Sequence, residues 1–268
     1  MEYIGYLLTS IIGIMLGLTG GGGSILAVPL LVYIFNIDPV LATSYSLGLV
    51  GLTSLLAVIP KYRSGQIDIK TGVIFGIPSL IGVTLVRTYM IPLLPETISI
   101  INYNISKGAI IMIVFSIIML LAAFSMIKPQ QQEKETTPSH SYLNNKYLRY
   151  LLIIGEGLIV GGITGFVGAG GGFLIIPALV FFTKMPIKTA IGTSLLVISI
   201  KSLLGFIGDI SHLTIDWRFF SIISIISILG MLLGNYIQRF IDDKKIKVLF
   251  GYFILIMGGF IIIKELLL

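Results

Sequence analysis

The stretch Gly17-Leu-Thr-Gly20-Gly-Gly-Gly23-Ser24 decides the fold, because it occurs twice. Shifted by 148 positions, it falls on Gly165-Phe-Val-Gly168-Ala-Gly-Gly-Gly172. The same shift sets Pro29 on Pro177, Ala42 on Ala190, Ser46-Leu47 on Ser194-Leu195, Ser54 on Ser202, Ile67-Asp68 on Ile215-Asp216 and Gly82 on Gly230. Apolar segments align by chance because their alphabet is small. Glycine clusters, a proline and an Ile-Asp box in one register do not, so the chain is an internal duplication.

The sequence around these boxes is apolar. Of 268 residues 56% are hydrophobic and 11% charged, and the mean hydropathy is +1.03. Soluble domains carry about 25% charged residues. Thirty charges cannot solvate a 29.2 kDa surface, and disorder needs low hydrophobicity, so an integral membrane protein is expected. With no cysteine, thiolate metal sites, disulfides and thiol nucleophiles are excluded. His140 and His212 lie outside the long apolar runs, so no metal is expected. The net charge of +6 reads as membrane topology rather than nucleic-acid affinity. Met1-Glu2-Tyr3 has no basic n-region, so the first apolar run reads as a membrane segment and not a cleaved signal.

One polar stretch, Lys128–Tyr147, cannot cross hydrocarbon. It divides the chain into a first transmembrane repeat (1–127), a linker (128–147) and a second repeat (148–268). Each half contains five apolar pieces. In the first these are Tyr3–Leu18, Ile25–Phe35, Val40–Pro60, Ile69–Met90 and Ile105–Ile127. The second offers Leu148–Phe166, Phe173–Thr183, Thr189–Ile210, Arg218–Gln238 and Lys247–Leu268. The last three of each set are long enough to span. Tyr3–Phe35 as one helix would be roughly 50 Å long against a hydrocarbon core of about 30 Å. Its run of glycines would also cost about 1 kcal/mol each relative to alanine. A pair of short helices, broken at the glycines, is expected instead.

Charge placement agrees. If each short pair enters and leaves on one side, the loops Lys61–Lys70, Lys128–Arg149, Lys184–Lys188 and Arg239–Lys247 share a face carrying thirteen of the 18 basic residues. Treating each pair as a single span would divide them about evenly. The positive-inside rule selects the first arrangement, with both termini outside. Two halves with an odd number of crossings are antiparallel, which predicts an all-α polytopic protein built from two inverted repeats, a plan found among secondary transporters.

The glycine boxes, Gly17–Pro29 and Gly165–Pro177, resemble those of the sulfite exporter TauE/SafE family, also called toluene sulfonate uptake permeases. The box Ala190-Ile-Gly-Thr193-Ser194-Leu195 fits the family, and Ala42-Thr-Ser-Tyr-Ser46-Leu47 fits it loosely. Asp216-Trp217 matches the family's start of a later helix, from which Asp68-Ile69 departs. The resemblance covers nearly the whole chain outside the linker. It implies transport of sulfur-containing anions such as sulfite, thiosulfate or an organosulfonate.

Physics of the boxes points the same way. Gly20, Gly21, Gly22 and Gly23, and Gly168, Ala169, Gly170, Gly171 and Gly172, expose backbone amides with little side chain in the way. Short helices opening at Ile25 and Phe173 would turn positive N-termini into the membrane, as anion sites do. The other reading of these glycines is close helix packing. Hydroxyls of Thr19, Ser24, Ser46, Thr193 and Ser194 lie near the breaks or on the following helix. Lys201 and Glu156 stand inside apolar segments, where ionisable groups are functional by default. Lys201 is expected to meet the anion and Glu156 to carry a coupling proton, or the two to pair. Asp68 and Asp216 are expected to cap helices, and Arg87 and Asp209, near span ends, to reach headgroups.

The expected function is therefore secondary transport of a small anion across the cell membrane by alternating access, with an anion channel as the alternative. No catalytic set or P-loop is present, so an enzyme is not expected. The expected partners are the small anion and the lipid bilayer, with proton coupling and a homo-oligomer left open, and neither nucleic acid nor a cofactor is called for. The topology is directly testable, since the chain has no native cysteine. A cysteine at Gln131 should be shielded from an impermeant thiol reagent in intact cells, and external labelling there would overturn the inverted arrangement.

Overall fold

The computed structural model describes residues 2–19, 22–100, 103–127, 146–183, 185–240 and 243–267. Gly20, Gly21 and most of the 128–147 linker lie outside the described residues. In the first half, α1 (Glu2–Thr19) is followed by a 3-10 turn (Gly22–Leu26), α2 (Ala27–Tyr33), α3 (Pro39–Arg63) and α4 (Ile69–Leu85). A π turn (Val86–Met90) then leads into the single turn α5 (Ile91–Leu93). The hairpin β1 (Thr97–Ile100) and β2 (Tyr103–Ser106) connects to α6 (Lys107–Ile127). The second half contains α7 (Lys146–Val167), α8 (Gly172–Thr183), α9 (Ile187–Ile210), α10 (Trp217–Ile237) and α11 (Asp243–Leu267).

Among the described residues, five helices are long and apolar enough to cross a bilayer: Pro39–Arg63, Ile69–Leu93, Lys107–Phe124, Ile187–Ile210 and Trp217–Ile237. The chain is thus a multi-pass membrane protein, with shorter apolar helices at Tyr3–Thr19, Gly23–Tyr33 and Leu151–Val167. Both glycine boxes interrupt helix, as expected. Two boundaries differ from the sequence reading. The alternating Thr97-Ile-Ser-Ile and Tyr103-Asn-Ile-Ser pair as strands, so Ile105 belongs to β2 and α6 begins at Lys107. The first short helix starts as a 3-10 turn, and regular α-helix begins only at Ala27.

Helix starts follow local chemistry. Asp38 accepts from the amides of Val40 (2.9 Å) and Leu41 (3.4 Å), with Pro39 in the first helical turn of α3. Asp68 caps α4 through the Thr71 amide at 3.1 Å, and Asp216 caps α10 through the amides of Arg218 and Phe219 at 3.0 and 3.1 Å. These two starts are also tied to the opposite half. Asp68 donates its amide to Thr193 Oγ1 at 2.9 Å, and Asp216 donates its own to the Tyr45 hydroxyl at 2.8 Å. The shift of 148 carries one bond onto the other, since it equates Asp68 with Asp216 and Tyr45 with Thr193.

Packing obeys the same exchange. In α1, Gly13 and Gly17 lie against the backbone of Ser227 and Met231 in α10. In α7, Gly161 and Gly165 lie against Ser79 and Val83 in α4, which are the shifted equivalents. Gly230 against Ser10 likewise answers Gly82 against Leu158. Without a hydrophobic drive between helices in lipid, such close backbone approach is what holds them together. The central helices α3 and α9 cross antiparallel, with Gly48 against Phe206 and Gly51 against Leu203. Leucine at Gly13 or at Gly161 would have to displace backbone, and overpacking of that kind costs about 1–3 kcal/mol. Gly259, with nothing within 4 Å, is the control. Thermal unfolding in detergent should show both variants several degrees below Gly259→Leu, and equal melting of all three would refute the packing account.

Candidate functional site

The two breaks are built differently. At the first, the Thr19 hydroxyl donates to the Met15 carbonyl at 2.7 Å and accepts from the Gly23 amide at 2.8 Å. Thr19 therefore ends α1 and caps the 3-10 turn with one oxygen. Gly22 begins that turn, and Gly23 has no room for a side chain, since a Cβ would stand 2.7 Å from the Leu16 amide nitrogen. Ser24 is fully buried beside it.

The second break is held by left-handed backbone at Gly168 (φ 74°), Gly170 (φ 65°) and Gly171 (φ 84°). Only glycine adopts such angles freely. The Gly168 amide donates to the Thr164 carbonyl at 2.9 Å and that of Gly171 to the Ala169 carbonyl at 2.6 Å. The Gly171 carbonyl accepts from Leu174 and Ile175 at 3.0 and 2.9 Å. Among the described residues the amides of Gly170, Gly172 and Phe173 are left without a backbone acceptor, at the positive end of α8. The break is wedged against α3: Gly168 lies on the Thr43 backbone, and Gly170 beside Val50 and Ile198.

Lys201 reaches this break from α9. Its ammonium is 2.6 Å from Thr164 Oγ1 and would be 3.1 Å from a Cβ on Gly171. Lys201 is 1% exposed and forms no ion pair among the described residues. An ammonium has three donors, and one hydroxyl accepts a single one of them. The second break thus combines a buried cation, a helix N-terminus and a hydroxyl, a constellation suited to an oxyanion.

Other expected residues are distributed as follows. Ser46 is buried and its hydroxyl has no partner among the described residues. It lies three residues beyond Thr43 and four before Val50, on the face of α3 turned to the second break. Ser194 donates to the Ile191 carbonyl of its own helix at 2.8 Å. Thr193 serves the tie to Asp68, about 12 Å along α9 from Lys201. Glu156 is half-buried on α7 and is not paired with Lys201: eight residues, about 12 Å of helix, separate it from Thr164.

Two features escaped the sequence reading. Thr164, Lys201's acceptor, matches Leu16 in the first half, so the repeat gave it no support. Arg87 and Asp209 do not reach headgroups. They are 6% and 7% exposed and pair at 2.7 Å, because two opposite charges inside spans satisfy each other better than either reaches water. Their opposite signs on apolar helices were the available signal.

The sulfite exporter TauE/SafE family profile matches residues 6–261. A probable membrane transporter protein of Xylella fastidiosa (strain 9a5c) is 28% identical over 256 residues, covering 94% of this chain and 91% of its own. The probable membrane transporter protein YdhB of Bacillus subtilis is 28% identical over 231 residues, covering 85% and 84%. A shorter match, 36% over 110 residues, joins 39% of the chain to 41% of the probable membrane transporter protein MJ0441 of Methanocaldococcus jannaschii. No solved structure matches. With broken helices at paired glycine boxes, apolar spans and a match over nearly its whole length, the chain belongs to the TauE/SafE family of membrane transporters.

Proposed function

We propose that this transporter carries a small sulfur-containing oxyanion, sulfite, thiosulfate or an organosulfonate, bound at the second glycine break. The observation that carries this reading is Lys201, a buried ammonium beside Gly171 with a hydroxyl and, among the described residues, no carboxylate partner. A charge in that position is costly unless it is paired. The anion supplies the missing charge, and the amides of Gly170, Gly172 and Phe173 supply directed donors. Gly22, Gly23 and Ser24, in the turn that packs on α8, would line the site from the first half, and Ser46 would add a hydroxyl from α3.

Alternating access follows from an inverted repeat. The antiparallel crossing of α3 and α9, and packing contacts that exchange under the shift of 148, support two halves of opposite orientation. Each half then opens the shared site to one side in turn. Glu156, half-buried and without an ion pair among the described residues, is the candidate for carrying a coupling proton, separate from the anion itself.

One set of proteoliposomes tests both roles with labelled thiosulfate. A charge-assisted hydrogen bond is worth about 1.5–3 kcal/mol, roughly tenfold to hundredfold in affinity. Lys201→Met should lose binding by that factor and Lys201→Arg should keep part of it. Glu156→Gln should bind normally yet lose the dependence of flux on a pH gradient. Saturable flux is expected of a carrier. Binding by Lys201→Met within twofold of wild type would remove the site, and an unchanged gradient dependence in Glu156→Gln would remove the coupling role.

A further inference from the structure

On α9, Lys201, Gly205 and Asp209 recur at intervals of four residues and share one face. Gly205 carries no side chain and is covered by Val83 and Leu47, whose methyls would stand 3.0 and 3.3 Å from a Cβ there. Beyond it, Arg87 Nη1 donates to Asp209 Oδ2 at 2.7 Å and Arg87 Nε to the Gly165 carbonyl at 2.7 Å. Arg87 Nη2 is buried with no acceptor among the described residues. Gly165 follows Thr164, the acceptor of Lys201, so two buried cations dock on consecutive residues of α7.

A pair that served stability alone would be expected to satisfy its donors, since an unpaired buried N–H is costly. Here Asp209 engages one terminal nitrogen and leaves the guanidinium fork half used. The fork's planar donors match an oxyanion that offers two oxygens at once. Arg87 also sits in the π turn Val86–Met90 that interrupts α4, and such turns recur at functional sites because they re-aim side chains.

We infer that Arg87 is a second anion-binding station, docked on the residue of α7 next to the one that holds Lys201, at which a small oxyanion replaces the Asp209 carboxylate on the guanidinium. Asp209 acts as a tethered competitor: it closes the station when no anion is present and displaces the anion onward. The glycine at 205, covered by two movable side chains, separates the two stations. This inference rests on the reading of Lys201 as the central site, and the experiment keeps the two apart.

Equilibrium binding of labelled thiosulfate to full-length protein in nanodiscs, at constant ionic strength, is the test. Lys201→Met silences the central site and is expected to bind at least tenfold more weakly than wild type. Adding Asp209→Asn removes the competitor and should restore binding at least tenfold, and adding Arg87→Gln to that double variant should abolish the gain. A folded Lys201→Met/Asp209→Asn protein without restored binding, or restored binding that survives Arg87→Gln, overturns the station. Should Lys201→Met bind like wild type, the central site is wrong. Arg87→Gln in that variant then decides alone, with loss of binding supporting the station and retention overturning it. If Asp209→Asn fails to fold, Arg87→Gln alone gives a second measure. Thiosulfate flux through folded Arg87→Gln should fall at least tenfold with binding at Lys201 intact, whereas wild-type flux through that variant overturns the inference.

Discussion

A charged or hydrogen-bonding group inside hydrocarbon needs a partner, and the second glycine break gathers several that lack one. Irregular backbone at membrane depth is tolerated where it is buried in protein or lines a cavity. Here it is wedged against α3 by Thr43 and Val50, and faced by the Lys201 ammonium. The left-handed angles of Gly168, Gly170 and Gly171 turn α7 sharply enough for α8 to start beside Lys201. Replace those glycines and the turn is strained. Remove Lys201 and the amides of α8 keep only a helix dipole.

The scaffold around this site is close to two-fold, and the site is not. Helix contacts exchange under the shift, as do the ties Asp68–Thr193 and Asp216–Tyr45. Lys201 matches Thr53, whose hydroxyl bonds its own helix at 2.9 and 3.1 Å, and Thr164 matches Leu16. Symmetric packing repeats the same helix contacts in both halves. An asymmetric charge puts the cation in one place between them, which avoids two like charges at close quarters.

Most of the architecture was legible because glycine clusters and polar breaks are rare in an apolar sequence. The duplication, the broken short helices and the caps at Asp68 and Asp216 all rest on residues whose backbone or hydrogen-bonding demands are narrow. The hairpin at 97–106 was missed because short apolar runs such as Thr97–Ile100 read equally as helix ends or strands. The candidate site was legible in outline only. Lys201 and the glycines stand out by residue type, whereas Thr164 and the Arg87–Asp209 pair depend on which helices meet, which periodicity does not state. Thr193 was marked by the Ala190–Leu195 box rather than by the repeat, and its hydroxyl serves a tie between halves.

The most direct measurement of the central claim is a crystal or cryo-cooled structure of the protein with selenite, a heavier relative of sulfite with an anomalous signal. The account predicts a selenium peak within hydrogen-bonding reach of Lys201 Nζ and the amides of Gly172 and Phe173, with the Thr164 contact shared or broken. Bound selenite placed elsewhere, with Lys201 still held by Thr164 alone and the second break empty, would contradict it.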